Sequence, residues 1–284
     1  ESNDIKALYV DEKNNLVYIG THTGGLSILH RNTGRIETLN NREIKNIYAI
    51  KPTLDGELWL SGLNILLRFN PQNKIFTRIE KQADGQPMTP ERIMTILRDS
   101  KNRLWLGGEK GLAVHQEKNN ELTASPVLPA KYSLNNKYVN CIYEAHNGIF
   151  WIGTRSGLYR FDEDKKEVKQ YTTRHGLPNN VIHAILEDSF GKLWISTNKG
   201  LSCMQPVTEK FRNYIASDGL PSNQFMENAG YQTKDGQMYF GGINGITTFY
   251  PEQMVDNPYI PPVIITHLRL FNKTVQPGDE TGIL

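Results

Sequence analysis

The chain has 284 residues, of which 38% are hydrophobic, 10% aromatic and 22% charged, and its 32 basic and 30 acidic side chains leave a formal net charge of +2. This composition excludes wholesale disorder, and near charge balance without a long basic run gives no electrostatic footprint for nucleic acid. No apolar run approaches the ~18 residues of a membrane span, and two cysteines, Cys141 and Cys203, exclude a disulfide scaffold and a multi-cysteine zinc site.

The chain opens at Glu1 with no apolar signal segment after it, and we read it as an excised or processed segment. One unit then recurs six times. The first copy, approximately 3–41, runs IKALYV, a turn DEKNN, then LVYIGTHTGGLSIL around Tyr18. The second, 42–90, runs IKNIYAI, TLDGE, LWLSGLNILLRF around Trp59, then an outer KIFTRIE. The third, 91–136, gives RIMTILR, DSKNR and LWLGGEKGLAVH around Trp105. The fourth, 137–179, gives YVNCIYE, AHNGI, FWIGTRSGLYRF around Trp151 and EVKQYTT. The fifth, 180–226, gives VIHAILE, DSFGK, LWISTNKGLSCM around Trp194 and KFRNYIA. The sixth, 227–256, has a degenerate first strand NAGYQT, then TKDGQ and MYFGGINGITTF around Tyr239, and lacks a fourth strand. Residues 257–284 read as a linker and the start of a further domain.

The aromatics are spaced by 41, 46, 46, 43 and 45 residues. β-branched and aromatic residues fill the runs, helical periodicity is absent, and Asp, Asn and Gly punctuate them. Four short strands per ~45 residues are the signature of a propeller blade. The fold expected is therefore all-β, a β-propeller of about six four-stranded blades. Two columns of small residues agree with a crowded axis. One follows the aromatic by two places (Gly20, Ser61, Gly107, Gly153, Ser196, Gly241). The other lies on the innermost strand (Ala7, Asn46, Thr95, Cys141, Ala184, Gly230). Cys141 is thus read as a small buried filler, and the Gly-Leu-Pro phrases as rigid turns plugging Leu177 and Leu220 into blade junctions.

The unit resembles the two-component-regulator propeller repeat, of the form Asp-x-x-Gly-x-Leu-Trp-Ile-Gly-Thr-x-x-Gly-Leu. Residues 188–201 (DSFGKLWISTNKGL) and 144–158 (EAHNGIFWIGTRSGL) follow it closely, and HGLPNN and DGLPSNQF look like its connectors. The stretch PPVIITHLRLFNKTV, 261–275, looks like the opening strand of the immunoglobulin-like sandwich that follows the last propeller in such receptors, here truncated. The resemblance implies the periplasmic sensor part of a Bacteroides-type hybrid two-component histidine kinase. Such a sensor binds polysaccharide-derived oligosaccharides and signals to carbohydrate-utilisation genes, with a homodimer in the full receptor. Family propellers usually have seven blades, against the six counted here.

In a four-stranded blade the second-to-third turns and the blade-to-blade connectors share one face. The turns place His22, Asn64, Glu109, Lys110, Arg155, Asn198, Lys199 and Asn244 there, and the connectors add Tyr132, Asn179, Asn223 and Gln224. Amides bond hydroxyls in both directions and Arg forks onto carboxylate or sulfate, so this set suits hydroxyl-rich or anionic sugars. The same polar residues also supply turn geometry in any propeller.

A glycosidase needs two carboxylates at about 5–10 Å. The acids Asp11, Asp99, Glu144, Glu187 and Asp188 recur at the ends of inner strands, which marks a structural turn role. Glu227 breaks the pattern near the axis. The seven histidines lack metal-ligand spacing, and His183 reads as a core or channel residue. No catalytic residue, metal, cofactor, nucleic-acid partner or membrane contact is expected. The leading function is a non-enzymatic sensor module. A protein–protein scaffold without a small-molecule site, or a propeller lyase or glycosidase, are the alternatives.

Overall fold

The computed structural model describes residues 4–39, 44–80, 82–83, 85, 92–118, 121–125, 127–128, 134, 137–254, 268–270 and 273–275. Its strands fall into the six repeats in order. Blade 1 holds β1 (Ile5–Asp11), β2 (Leu16–Thr21), β3 (Leu26–His30) and β4 (Ile36–Leu39). Blade 2 holds β5 (Ala49–Pro52), β6 (Leu58–Gly62), β7 (Ile65–Phe69) and β8 (Phe76–Ile79). Blade 3 holds β9 (Ile93–Arg98), β10 (Arg103–Gly108), β11 (Gly111–Lys118) and β12 (Glu121–Ala124). Blade 4 holds β13 (Val139–Glu144), β14 (Phe150–Thr154), β15 (Gly157–Asp162) and β16 (Glu167–Tyr171). Blade 5 holds β17 (Ile182–Glu187), β18 (Leu193–Thr197), β19 (Gly200–Gln205) and β20 (Lys210–Tyr214). Blade 6 holds β21 (Phe225–Gln232), β22 (Met238–Gly242) and β23 (Gly245–Phe249).

Each sheet is an antiparallel meander in sequence order, four-stranded in blades 1–5 and three-stranded, among the described residues, in blade 6. The expected six-bladed propeller is borne out. The chain divides into compact units 1–251 and 252–284. In the second, β24 (Leu268–Leu270) pairs with β25 (Lys273–Val275); the rest of the opening strand expected over 261–275 lies outside the described residues.

The core lies between blades. Five apolar clusters correspond to five interfaces, and each sets the aromatic of one blade against the alternating Leu/Ile face of the next. Tyr18 packs with Ile50, Leu60 and Phe69, and Trp59 with Ile96, Leu104 and Leu106. Trp105 packs with Ile142, Phe150 and Ile152, and Trp151 with Ile185, Leu193 and Ile195. Trp194 packs with Phe225, Met238 and Phe240. Tyr18 and the four tryptophans are all at most 2% exposed, whereas Tyr239 of blade 6 is half-buried.

The small columns follow from this packing. A Cβ on Gly153 would meet Cys141 Sγ at 2.4 Å and Ile182 Cγ2 at 2.7 Å, closer than real contacts allow. Two expected members are corrected. Asn46 precedes β5, and Ala49 pairs with Ser61 as Cys141 pairs with Gly153, so Ala49 holds the column in blade 2. In blade 6 Gly230 pairs with Phe240, one place out of register, and Ala229 is the small residue against Gly241. Burial pushes the Cys141 thiol up to about 12 and the Cys203 thiol to about 11, so both stay protonated. Leu177 is buried in the junction of blades 4 and 5, and Leu220 packs partly buried against the next cluster, each after a short 3-10 turn closed by a left-handed glycine.

Between blades 6 and 1 the pattern stops. Leu8 is 62% exposed, where its register equivalents Ile50, Ile96, Ile142 and Ile185 are at most 8% exposed. Ile246 is 64% exposed, where Leu26, Leu66, Leu158 and Leu201 are at most 1% exposed. An ion pair between Lys234 and Glu12, at 3.5 Å, crosses this seam.

Candidate functional site at the axial mouth

The two faces of the propeller use their polar groups differently. On the face carrying the first-to-second turns, the repeated acids are structural, as their recurrence implied. Asp99 Oδ2 accepts from the Trp105 indole at 2.7 Å and from Arg103 at 2.6 Å, while its Oδ1 takes the backbone N–H groups of Lys101 and Arg103. Asp188 does the same for Trp194 and the N–H groups of Phe190 and Lys192. Glu144 accepts from Ser100 of blade 3, and Glu187 from the backbone N–H of His146 of blade 4, so each latches its blade to the preceding one.

On the opposite face, the second-to-third turns bond the starts of the inner strands. The backbone N–H groups of His22, Glu109 and Arg155 donate to the carbonyls of Asp4, Arg92 and Tyr138. This brings turns and connectors together around the axis, and polar groups from four blades gather there. Glu109 lies 3.6 Å from Arg92. Burial works against the charge on Arg92, while Tyr138 and Glu109 favour it and hold the guanidinium above the ordinary range. The Arg155 guanidinium lies over the Tyr138 ring, 3.6 Å from its centroid. Arg155 Nη2 is 3.1 Å from Glu227 Oε1. Glu227 in turn acts electrostatically on His183, whose Nε2 is 2.7 Å from Asn198 Oδ1. Burial lowers the His183 pKa, with Asn198 and Glu227 opposing, and holds the imidazole neutral at pH 7.

Of the expected site residues, the structure brings Glu109, Arg155 and Asn198 into this group. Lys110, Lys199 and Asn244 sit exposed in their turns on the same face, and His22 lies 3.8 Å from Asp4. Asn64 has φ 54° and serves hairpin geometry. Asn179 accepts the N–H of Val181 and Asn223 that of Ala216, so both amide oxygens are engaged in connector turns. Gln224 holds the β22–β23 turn through its carbonyl. Tyr132 lies outside the described residues.

Arg92 and Tyr138 were not foreseen. Both stand where a connector meets an inner strand, a place that sequence alone does not mark as facing the axis. His183 was expected as a core or channel residue, and Glu227 stood out as an acid outside the repeated set. No group of three or more His, Cys, Asp or Glu side chains is placed to hold a metal among the described residues.

The fold and this face define a propeller with a polar axial mouth. Residues 133–156 and 176–199 match the two-component regulator propeller family. The chain is 29% identical, over its whole length, to histidine kinase P4 of Formosa agariphila, and spans 21% of that protein. Among solved structures it resembles the extracellular domain of the one component system BT4673 of B. thetaiotaomicron, with a TM-score of 0.71, 22% identity, and coverage of 86% of this chain and 32% of that one. It also resembles the extracellular domain of the hybrid two component system BT3049 of the same organism, with a TM-score of 0.60, 21% identity, and coverage of 98% and 44%. Virginiamycin B lyase of Staphylococcus aureus shares the fold at 12% identity, with a TM-score of 0.62 over 88% of this chain and 85% of the lyase.

Proposed function

We propose that this propeller is a non-enzymatic sensor module of a hybrid two-component histidine kinase, lying in the periplasm and binding polysaccharide-derived oligosaccharides at the axial mouth. Binding would favour one arrangement of two receptors and so control carbohydrate-utilisation genes. The observation that carries the reading is the gathering of the Glu109–Arg92 and Arg155–Glu227 ion pairs on one face, with the Tyr138 ring against Arg155 and the His183–Asn198 contact beside them. Its residues differ from blade to blade, unlike the repeated acids of the other face, and it offers both donors and acceptors beside an aromatic ring. Those groups match the hydroxyls and ring faces of sugars. The kinase relative and the likeness to extracellular domains of such systems support the sensor role. A ligand shifts an equilibrium only by its differential affinity for the two states, so the site must change when it is filled.

Calorimetry with a panel of oligosaccharides tests this. At least one glycan should bind, and Arg92→Ala should weaken it by about tenfold, the effect of losing one charge-assisted contact. Failure of every glycan to bind the folded protein sinks the sugar-sensing reading and leaves a protein–protein scaffold. Turnover of a panel member would instead make it an enzyme.

A further inference from the structure

The innermost strand of blade 6 departs from the other five. Between Phe225, paired with Gly242, and Gly230, paired with Phe240, five steps along β21 match two along β22. In blades 1, 4 and 5 the corresponding irregularity spans two steps against one. The additional residues form a wide bulge with Asn228 in the left-handed region at φ 55°. Such a conformation is sparsely populated for a residue with a side chain and persists only where contacts hold it.

The contacts that hold it cross the axial opening. Asn228 Nδ2 donates to the Met94 carbonyl of blade 3 at 3.0 Å, and Glu227 reaches Arg155 of blade 4. Neither blade adjoins blade 6 in the ring. The bulge therefore leans over the mouth from one side and is held on the other.

Arg155 is set up as a receptor for an oxyanion. The Tyr138 ring centroid lies 3.6 Å from its guanidinium carbon, and the Arg155 backbone N–H is tied to the Tyr138 carbonyl at 3.1 Å, so the side chain rests on the ring before any ligand arrives. Its bond to Glu227 is a single contact of 3.1 Å between a 50% exposed arginine and a 35% exposed carboxylate. A guanidinium has five donors and accepts a carboxylate or sulfate in a two-pronged mode that this contact does not use. Ion pairs this exposed are weak and readily exchanged.

We propose that Glu227 is an internal stand-in for the acidic group of a ligand, and that an oligosaccharide bearing a carboxylate or sulfate displaces it from Arg155 and frees the bulge. This rests on the glycan-sensing reading and adds to it the class of sugar and the segment that moves. The bulge then couples occupancy to blades 3, 4 and 6 together, because release of Glu227 removes one of the ties that hold Asn228 over the axis.

The test uses the folded chain with three probes of similar length: trigalacturonate, a sulfated heparin-derived trisaccharide and neutral cellotriose. At least one acidic probe should bind more tightly than cellotriose. Glu227→Gln should tighten it by about three- to fivefold, the worth of an exposed competing ion pair, and Arg155→Met should weaken it by about tenfold or more. Hydrogen exchange in 225–230 should quicken on binding. Acidic binding unchanged or weakened in Glu227→Gln overturns the stand-in. Preferential binding of cellotriose, insensitive to Arg155→Met, overturns the acidic class while leaving a sugar sensor. No binding by any probe or by the wider panel overturns both.

Discussion

Trp105 and Trp194 each give their indole N–H to an aspartate six residues earlier, whereas Trp59 has Thr53 there and its buried Nε1 has no partner. The aspartate is thus a clamp that joins turn, strand and aromatic. Asp188→Ala leaves the indole N–H and two backbone donors without their acceptor, so it should lower stability by about 2–4 kcal/mol, read as a shift of the urea midpoint. A loss below 0.5 kcal/mol would contradict the clamp. Gly153→Ala should destabilise comparably, by about 1–3 kcal/mol, because Cys141 and Ile182 leave no room. At this scale the sequence marked the clamps and the glycines through their recurrence. It misplaced Ala49, because Asn46 three residues earlier is also small and only the pairing with Ser61 decides. It also nominated Asn179 and Asn223 as ligand groups. Short amide side chains bond nearby backbone as readily as a sugar, and nothing in a turn sequence separates the two.

The elements are joined by charged latches on the face opposite the mouth. Arg103 and Lys101 of blade 3 bond Glu163 of blade 4, and Lys169 of blade 4 meets Glu209 of blade 5. The hydrogen bond from Arg103, with help from Lys101 and against partial burial, holds the Glu163 carboxyl down at about 2. A carboxyl depressed in the folded state stabilises above its unfolded value and loses that contribution as pH falls through the folded one. The Glu163 contribution is accordingly complete above about pH 4.5 and fades toward pH 2. Thermal melts of wild type and Glu163→Gln should differ most above pH 5 and converge as pH drops to 2. A gap that widens on acidification would contradict the latch. The strands themselves were legible from alternation and from the 41–46 residue spacing. The length of the β21 bulge was not, beyond its degenerate pattern. A bulge is set by what it touches, here Met94 and Arg155 more than seventy residues away in sequence.

Among the described residues the blades show five copies of one interface, and at the sixth junction, between blades 6 and 1, the equivalent apolar positions are exposed. Because each aromatic leans on the next blade, a residue's worth depends on whether that blade is present. Ile142→Ala, between blades 3 and 4, should cost about 2–4 kcal/mol, and Leu8→Ala, its equivalent at the seam, less than about 1. Equal losses in denaturant titrations would mean that the seam is packed in solution. The blade count was legible because each repeat carries its own aromatic. The exposed seam was not, since Leu8 and Ile246 are as apolar as their buried counterparts and only their exposure distinguishes them.

Lys234 and Glu12 reach across that seam with side chains 92% and 73% exposed. Attraction between groups so wet is damped by electrolyte, whose screening distance shrinks from about 8 Å at physiological ionic strength to about 3 Å at 1 M. A pair so exposed is worth little at any ionic strength, so Lys234→Ala should lower stability by about 0.5 kcal/mol or less in urea titrations, and a larger loss would mean that this contact holds blade 6 against blade 1.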